Sequence, residues 1–237
     1  MVNLFNRKIL VVVAHPDDEL LGCGGTMHKL INEQQCTIRV VILGEGITSR
    51  SNTREVEKWK SELRKHRSNI QTAAGQIGYE SVSIYDFPDN RFDTIALLDI
   101  VKKVEEEKKN FQPEIIFTHH GGDLNIDHQR TFEAVMTACR PMSEESVKGI
   151  ITFETPSGTE WQASSDPKYF NPNLFIEISE ENLEAKVKGM ESYEFEKRAY
   201  PHPRSPEALK ILAQRYGIML GGSLYEAFQI IRLNVKL

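Results

Sequence analysis

The chain has 237 residues, 40% hydrophobic and 27% charged, with 29 Lys and Arg against 34 Asp and Glu for a formal net charge of -5. That is the composition of a soluble globular protein with one generous α/β domain, or at most two small ones. The acidic balance carries no electrostatic footprint for nucleic acid or anionic membrane.

Three cysteines, Cys23, Cys36 and Cys139, show no metal-type spacing and leave an odd number for pairing, which predicts reduced thiols in a cytoplasmic protein. The apolar run at residues 9–14 is too short for a signal peptide, and no stretch approaches transmembrane length.

Strand-like and helix-like segments alternate from the start. Residues 9–13 (ILVVV) are β-branched, uncharged and short, the pattern of a buried parallel strand. A glycine-rich GCGGT at 22–26 leads into a short helix over 27–34, and 37–43 (TIRVVIL) forms a second strand. Residues 53–77 read as a long helix, 81–86 as a strand, 94–109 as an amphipathic helix, and 114–118 as a fourth strand. A polar loop follows, then a helix over 127–139.

Further on, strands are expected at 149–154, 175–179 and 227–235, with helices at 181–197 and 206–215 and a long loop over 157–173. Strands separated by helices at this spacing predict a Rossmann-like, three-layer α/β fold with a mostly parallel sheet and helices on both faces. No repeat, low-complexity tract or linker divides the chain, so 1–237 is read as a single domain.

The most informative segment is Ala14-His15-Pro16-Asp17-Asp18-Glu19, directly after the first strand. Ligand sites in open α/β sheets lie outside the carboxyl ends of strands, and three ionisable side chains in a row there are poor core packing. A second cluster, His119-His120-Gly121-Gly122-Asp123-Leu124-Asn125-Ile126-Asp127-His128, follows the fourth strand and so leaves the same sheet edge.

Catalytic zinc takes three N or O ligands and keeps one position open. His15 and Asp18 converge from one turn and His128 completes the set, leaving Asp17 beside the metal as a general base. Gly22, Gly24 and Gly25 do not fit a dinucleotide fingerprint, because charged residues precede them and their spacing is wrong. Close helix–strand packing is the better use for them.

The run AHPDDELLGCGGT, with a later N-x-D-H, resembles the PIG-L/LmbE-like family of zinc-dependent N-deacetylases, which act on N-acetylglucosamine moieties. Looser matches at residues 67–78, at Phe87-Pro88-Asp89, at 202–217 and at Glu226-Ala227-Phe228 extend the resemblance over nearly the whole chain. It implies His15, Asp18 and His128 as Zn²⁺ ligands, Asp17 as base, and the trimers or hexamers common among relatives.

The chain departs from the pattern at Asn125, where many members carry a His that stabilises the oxyanion, and at Asn69, where many carry Glu. Either Asn125 or His120 is then the expected oxyanion donor, with an Asx-turn as the alternative use of Asn125. Arg54, Arg67, Asp89 and Arg204 are the candidates for gripping sugar hydroxyls or a phosphate.

The expected activity is removal of an N-acetyl group from an amino sugar or its conjugate. The rivals are an amidase of a thiol conjugate and a sugar- or nucleotide-binding protein without catalysis.

Overall fold

The computed structural model describes residues 4–234. Strands β1 (Lys8–Val13), β2 (Thr37–Gly44), β3 (Ser81–Phe87), β4 (Ile115–His119) and β5 (Gly149–Phe153) run parallel. Strand β6 (Leu174–Glu177) sits at one edge, and β7 (Tyr225–Leu233) pairs antiparallel between it and β5. The sheet order is β3-β2-β1-β4-β5-β7-β6, so the chain reverses direction across the sheet between β1 and β4. Both histidine clusters leave the strands at that switch point, the crevice where open α/β sheets bind ligands.

The two faces follow from the period-2 alternation of β1. Ile9, Val11 and Val13 enter one core with α1 (Asp18–Gln34), α2 (Lys60–Ile77) and α5 (Glu180–Ser192). Leu10, Val12 and Ala14 enter the other, with α3 (Leu97–Phe111) and α4 (Ile126–Ala138). The expected three-layer, mostly parallel α/β fold is what the structure has. Helix α6 (Pro206–Leu220) packs on β7, and no helix among the described residues is long and apolar enough to cross a membrane.

The element boundaries differ from the sequence reading where side chains override local propensity. The first helix begins at Asp18, not residue 27, and its glycines lie inside it. A Cβ on Gly22 would fall 2.1 Å from the Phe153 ring and one on Gly25 2.9 Å from Ile178, so small residues let α1 approach its neighbours.

Two side chains also reach into the backbone of α1. Lys186 Nζ donates to Leu21 O at 3.0 Å and to Glu226 Oε1 at 2.6 Å. Glu226 in turn accepts from Gly25 N at 3.2 Å and Thr26 N at 2.6 Å. The pair is buried, with both side chains largely out of water.

Helix α2 starts seven residues late because Arg54 is drawn to Glu45 and Trp59 donates to Ser51, folding 53–59 into turns. The last strand runs from Tyr225 to Leu233, two residues ahead of the expected start at 227. Val235, the expected end of the last strand, lies outside the described residues.

Candidate active site

The turn after β1 aims three functional side chains. Asp17 stands at the N-cap of α1 with a φ of 104°, a left-handed conformation that favours glycine, yet its carboxylate caps nothing. Glu19 instead accepts from Asp17 N at 3.1 Å, which leaves the Asp17 carboxylate free to face the pocket. Asp18 turns the other way and is buried behind it.

One oxygen of Asp18 gathers the histidines. Asp18 Oδ2 lies 3.4 Å from His15 Nδ1, 3.4 Å from His128 Nε2 and 3.3 Å from His119 Nε2. Bonds of about 2.0–2.1 Å at a tetrahedral angle set ligand atoms about 3.4 Å apart. The His15, Asp18 and His128 donors therefore have the spacing of a zinc-type ligand set, and all lie within 4.8 Å of one another.

The far nitrogen of each of these two histidines meets a carboxylate. His15 Nε2 is 2.9 Å from Asp127 Oδ2, and His128 Nδ1 is 3.1 Å from Asp123 Oδ1. The His15–Asp127 hydrogen bond fixes the tautomer that leaves the inner nitrogen free for a metal, while Asp123 approaches His128 Nδ1 at ion-pair distance. Asp127 is held in turn by the Asn90 and Phe92 amides at 2.6 and 2.8 Å, and Asp123 by Thr159 at 2.6 Å.

The third histidine plays another part. His119 Nε2 accepts from Ala14 N at 2.9 Å, so its lone pair is occupied, and Nδ1 donates to Thr155 Oγ1. Burial and the neighbouring His128 push it down to about 4, so it is neutral and stacks flat on His128 with ring centroids 3.9 Å apart.

Electrostatics divide the two aspartates. Burial, the largest single influence, raises Asp18, but the charge and hydrogen-bond contributions of His128 and His119 together outweigh it and hold Asp18 well below the usual carboxylate range. Burial raises Asp17 well above that range, with Asp18, Glu196 and Glu19 adding to the effect and Arg204 opposing it. A carboxylate with raised proton affinity beside a metal is suited to taking a proton from water.

Above these groups lies a cavity of about 280 Å³ lined by His15, Asp17, Asp89, Asn125, Trp161 and Arg204, among others. The structure brings together His15, Asp17, Asp18, Asp89, Asn125, His128 and Arg204. Asp89 Oδ1 is 3.4 Å from His15 Nε2. Arg204 Nη1 donates to Asp17 Oδ2 at 2.9 Å and so holds the expected base, not open solvent.

His120 is not brought in, which corrects its expected part as an oxyanion donor. Its Nε2 meets Lys168 O at 2.6 Å and its ring packs on Phe170, away from the cavity, because successive residues leaving β4 point to opposite sides. Arg54 and Arg67 are corrected likewise, since they line a separate cavity of about 110 Å³. Arg54 there makes two 2.9 Å bonds to Glu45.

Asn125 reaches the cavity but is committed to the fold. Its Oδ1 caps α4 by accepting from Asp127 N at 2.8 Å, and its Nδ2 donates to Asn90 Oδ1 at 3.0 Å.

Sequence reasoning missed four groups. Asp123 and Asp127 flank His128 and are detectable as carboxylates in the same cluster, though Asp127 alone reads as a helix cap. Glu196 and His66 carry no local signal, because the chain returns to the pocket only through tertiary packing.

The family model for GlcNAc-PI de-N-acetylase (PIG-L) matches residues 10–139, and the chain belongs to this family, whose members are deacetylases hydrolysing amide bonds. The chain is similar to the uncharacterized deacetylase YaiS of Escherichia coli K12, 28% identical over 79% of this chain and 90% of that protein.

Among solved structures it resembles the N,N'-diacetylchitobiose deacetylase of Pyrococcus horikoshii, with TM-score 0.74, 18% identity and coverage of 95% and 84% of the two chains. It also resembles GalB, the 4-carboxy-2-hydroxymuconate hydratase of Pseudomonas putida KT2440, with TM-score 0.75, 20% identity and 98% of each chain covered. At these identities the two structures share the fold.

Proposed function

We propose that the chain is a zinc-dependent N-deacetylase of an N-acetylglucosamine-type sugar or sugar conjugate, acting as a single domain over residues 1–237 in the cytoplasm. The observation that carries this reading is the convergence of His15 Nδ1, Asp18 Oδ2 and His128 Nε2 at ligand spacing, with the Asp17 carboxylate beside them and outside the set. A binding protein has no use for a buried base there.

Zn²⁺, when held by His15, Asp18 and His128, supplies Lewis acidity toward water and a carbonyl oxygen. Asp17 takes the proton from the attacking water on its Oδ atoms and returns it to the leaving amine. Arg204 orients that carboxylate through its 2.9 Å bond. Asp127 keeps His15 in the tautomer that presents its inner nitrogen, and Asp123 lies 3.1 Å from the outer nitrogen of His128. Trp161, 54% exposed at the rim, offers an apolar face for a sugar ring.

The test is acetate release from N-acetylglucosamine, chitobiose and nucleotide-linked N-acetylglucosamine. Chelator-treated protein is expected to be inactive and to recover with about one equivalent of Zn²⁺. His15→Ala and His128→Ala are expected to lose the metal as well as the activity. Full activity in metal-free protein overturns the reading. Turnover of a thiol-conjugate amide, or hydration of a carbon–carbon double bond, with no acetate from any sugar would replace it.

A further inference from the structure

The segment between α5 and α6 and the turn after β2 that carries Arg50 form the outer wall of the cavity, and together they gather three arginines around Glu196. Arg50 Nη2 donates to Glu196 Oε1 at 2.6 Å, Arg204 Nη1 to Glu196 Oε2 at 3.1 Å, and Arg198 Nη2 lies 3.6 Å from the same oxygen. Arg204 is already committed to Asp17 and, through Nε, to Ser157 at 2.7 Å. Arg50 and Arg198 therefore share Glu196 alone, while Asp89, the remaining carboxylate on the lining, lies 3.4 Å from His15 Nε2 on the inner side.

Both guanidiniums have donors to spare. Among the described residues, Arg50 bonds through Nη2 only, to Phe195 O and Glu196, and Arg198 hydrogen-bonds through Nη1 only, to Phe195 O and Lys197 O. A guanidinium carries five N–H donors in a planar fork that matches a carboxylate or a phosphate.

A second, independent feature points into the same space. His66 on α2 lines the cavity, is 2% exposed, and has no hydrogen-bond partner for either ring nitrogen among the described residues. Its ring is edged by Tyr193 and Phe195, at 5.8 and 5.9 Å between centroids, which supply no acceptor to it. A buried imidazole with two open nitrogens is costly unless something in the cavity satisfies it.

We propose that the outer half of the catalytic pocket recognises a carboxylate or phosphate on the substrate, held by Arg50 and Arg198 and bordered by His66, so that acidic N-acetylated sugars are selected over neutral ones. This rests on the deacetylase reading for the sugar, while the anion site itself rests on the arginines. Arg204, bridging Glu196 and Asp17, sets the acidic group one guanidinium away from the base. His66 offers one donor and one acceptor to the sugar between them.

Equilibrium binding tests this without depending on turnover. Zinc-loaded Asp17→Asn protein is titrated calorimetrically with N-acetylglucosamine, its 1-phosphate and N-acetylmuramic acid, and with malonate and inorganic phosphate alone. At low salt the acidic sugars are expected to bind about tenfold or more tightly than the neutral one, and the margin to shrink as salt screens these exposed arginines.

Adding Arg50→Gln and Arg198→Gln together is expected to abolish that margin. A preference for only one acidic sugar identifies carboxylate or phosphate as the group recognised. Equal binding of all three sugars, or a margin that survives both substitutions, overturns the proposal. If no sugar binds but malonate or phosphate binds in an Arg50- and Arg198-dependent way, the anion site stands and the amino-sugar reading falls. Anion binding indifferent to both arginines overturns the site.

Discussion

The inner and outer walls of the catalytic pocket are built by different means. The inner wall is made by strand ends: His15, Asp17 and Asp18 leave β1, and Asp123, Asp127 and His128 follow β4. Its carboxylates Asp18, Asp123 and Asp127 are buried, and each accepts from at least one backbone amide. The outer wall comes from the turn-rich segment between α5 and α6 and from the turn after β2, with long, part-exposed arginines arranged around one glutamate. Chemistry that tolerates little displacement sits on the rigid sheet, and contacts that vary with the ligand sit on the looser segment.

The sharpest way to break this contrast is at the inner wall. Asp17→Asn is expected to keep the metal and lower kcat about 10²- to 10⁴-fold, read by paired zinc content and initial rates. Near-normal turnover would move the base elsewhere. One step outward, Asp127→Ala removes the carboxylate behind His15. It is expected to cost about 10- to 100-fold in metal affinity or activity, measured by competition with a chromogenic chelator. No change would mean that the backbone alone orients His15.

Smaller effects are expected in stability. Burial and the Arg50 charge push His66 down to about 4 from 6.5. Between those values the unfolded chain binds a proton that the folded one does not, so stability falls as pH drops from about 6.5 to about 4. The contribution is about 3 kcal/mol at most. His66→Leu is expected to flatten that part of the pH–stability curve in chemical denaturation, and an unchanged acid limb would show that His66 protonates freely. The smallest effect is at Asn125, where Asn125→Ala removes the α4 cap and is expected to cost about 1 kcal/mol with zinc content nearly kept. A rate loss beyond tenfold without loss of stability would restore the oxyanion role to Asn125.

The same contrast explains what could be read before folding. The mostly parallel sheet was legible, because β-branched runs such as residues 37–43 and the spacing of charged helices specify βαβ units, whereas the strand order appears only in the fold. The HPDD turn and His128 were legible because ionisable residues at strand ends have few structural uses. Helix α1 was read nine residues short because its glycines look like a loop until Phe153 and Ile178 are packed against them. His120 was misplaced because adjacent residues of one cluster face opposite ways, which a one-dimensional cluster does not reveal. Glu196 and His66 gave no signal, since each acquires meaning only through residues far away in the chain.

The Lys186–Glu226 pair has a consequence for how the protein comes into being. Helix α1, which begins at Asp18, takes backbone bonds at Gly25 and Thr26 from a carboxylate 201 and 200 positions later. Synthesis at about 5–20 residues per second means that this anchor arrives roughly 10–40 s after the helix it steadies. Through that interval α1 is without this anchor, and β5 is without the antiparallel neighbour that β7 provides. The helix that carries the acidic turn is therefore made well before the strand that anchors it.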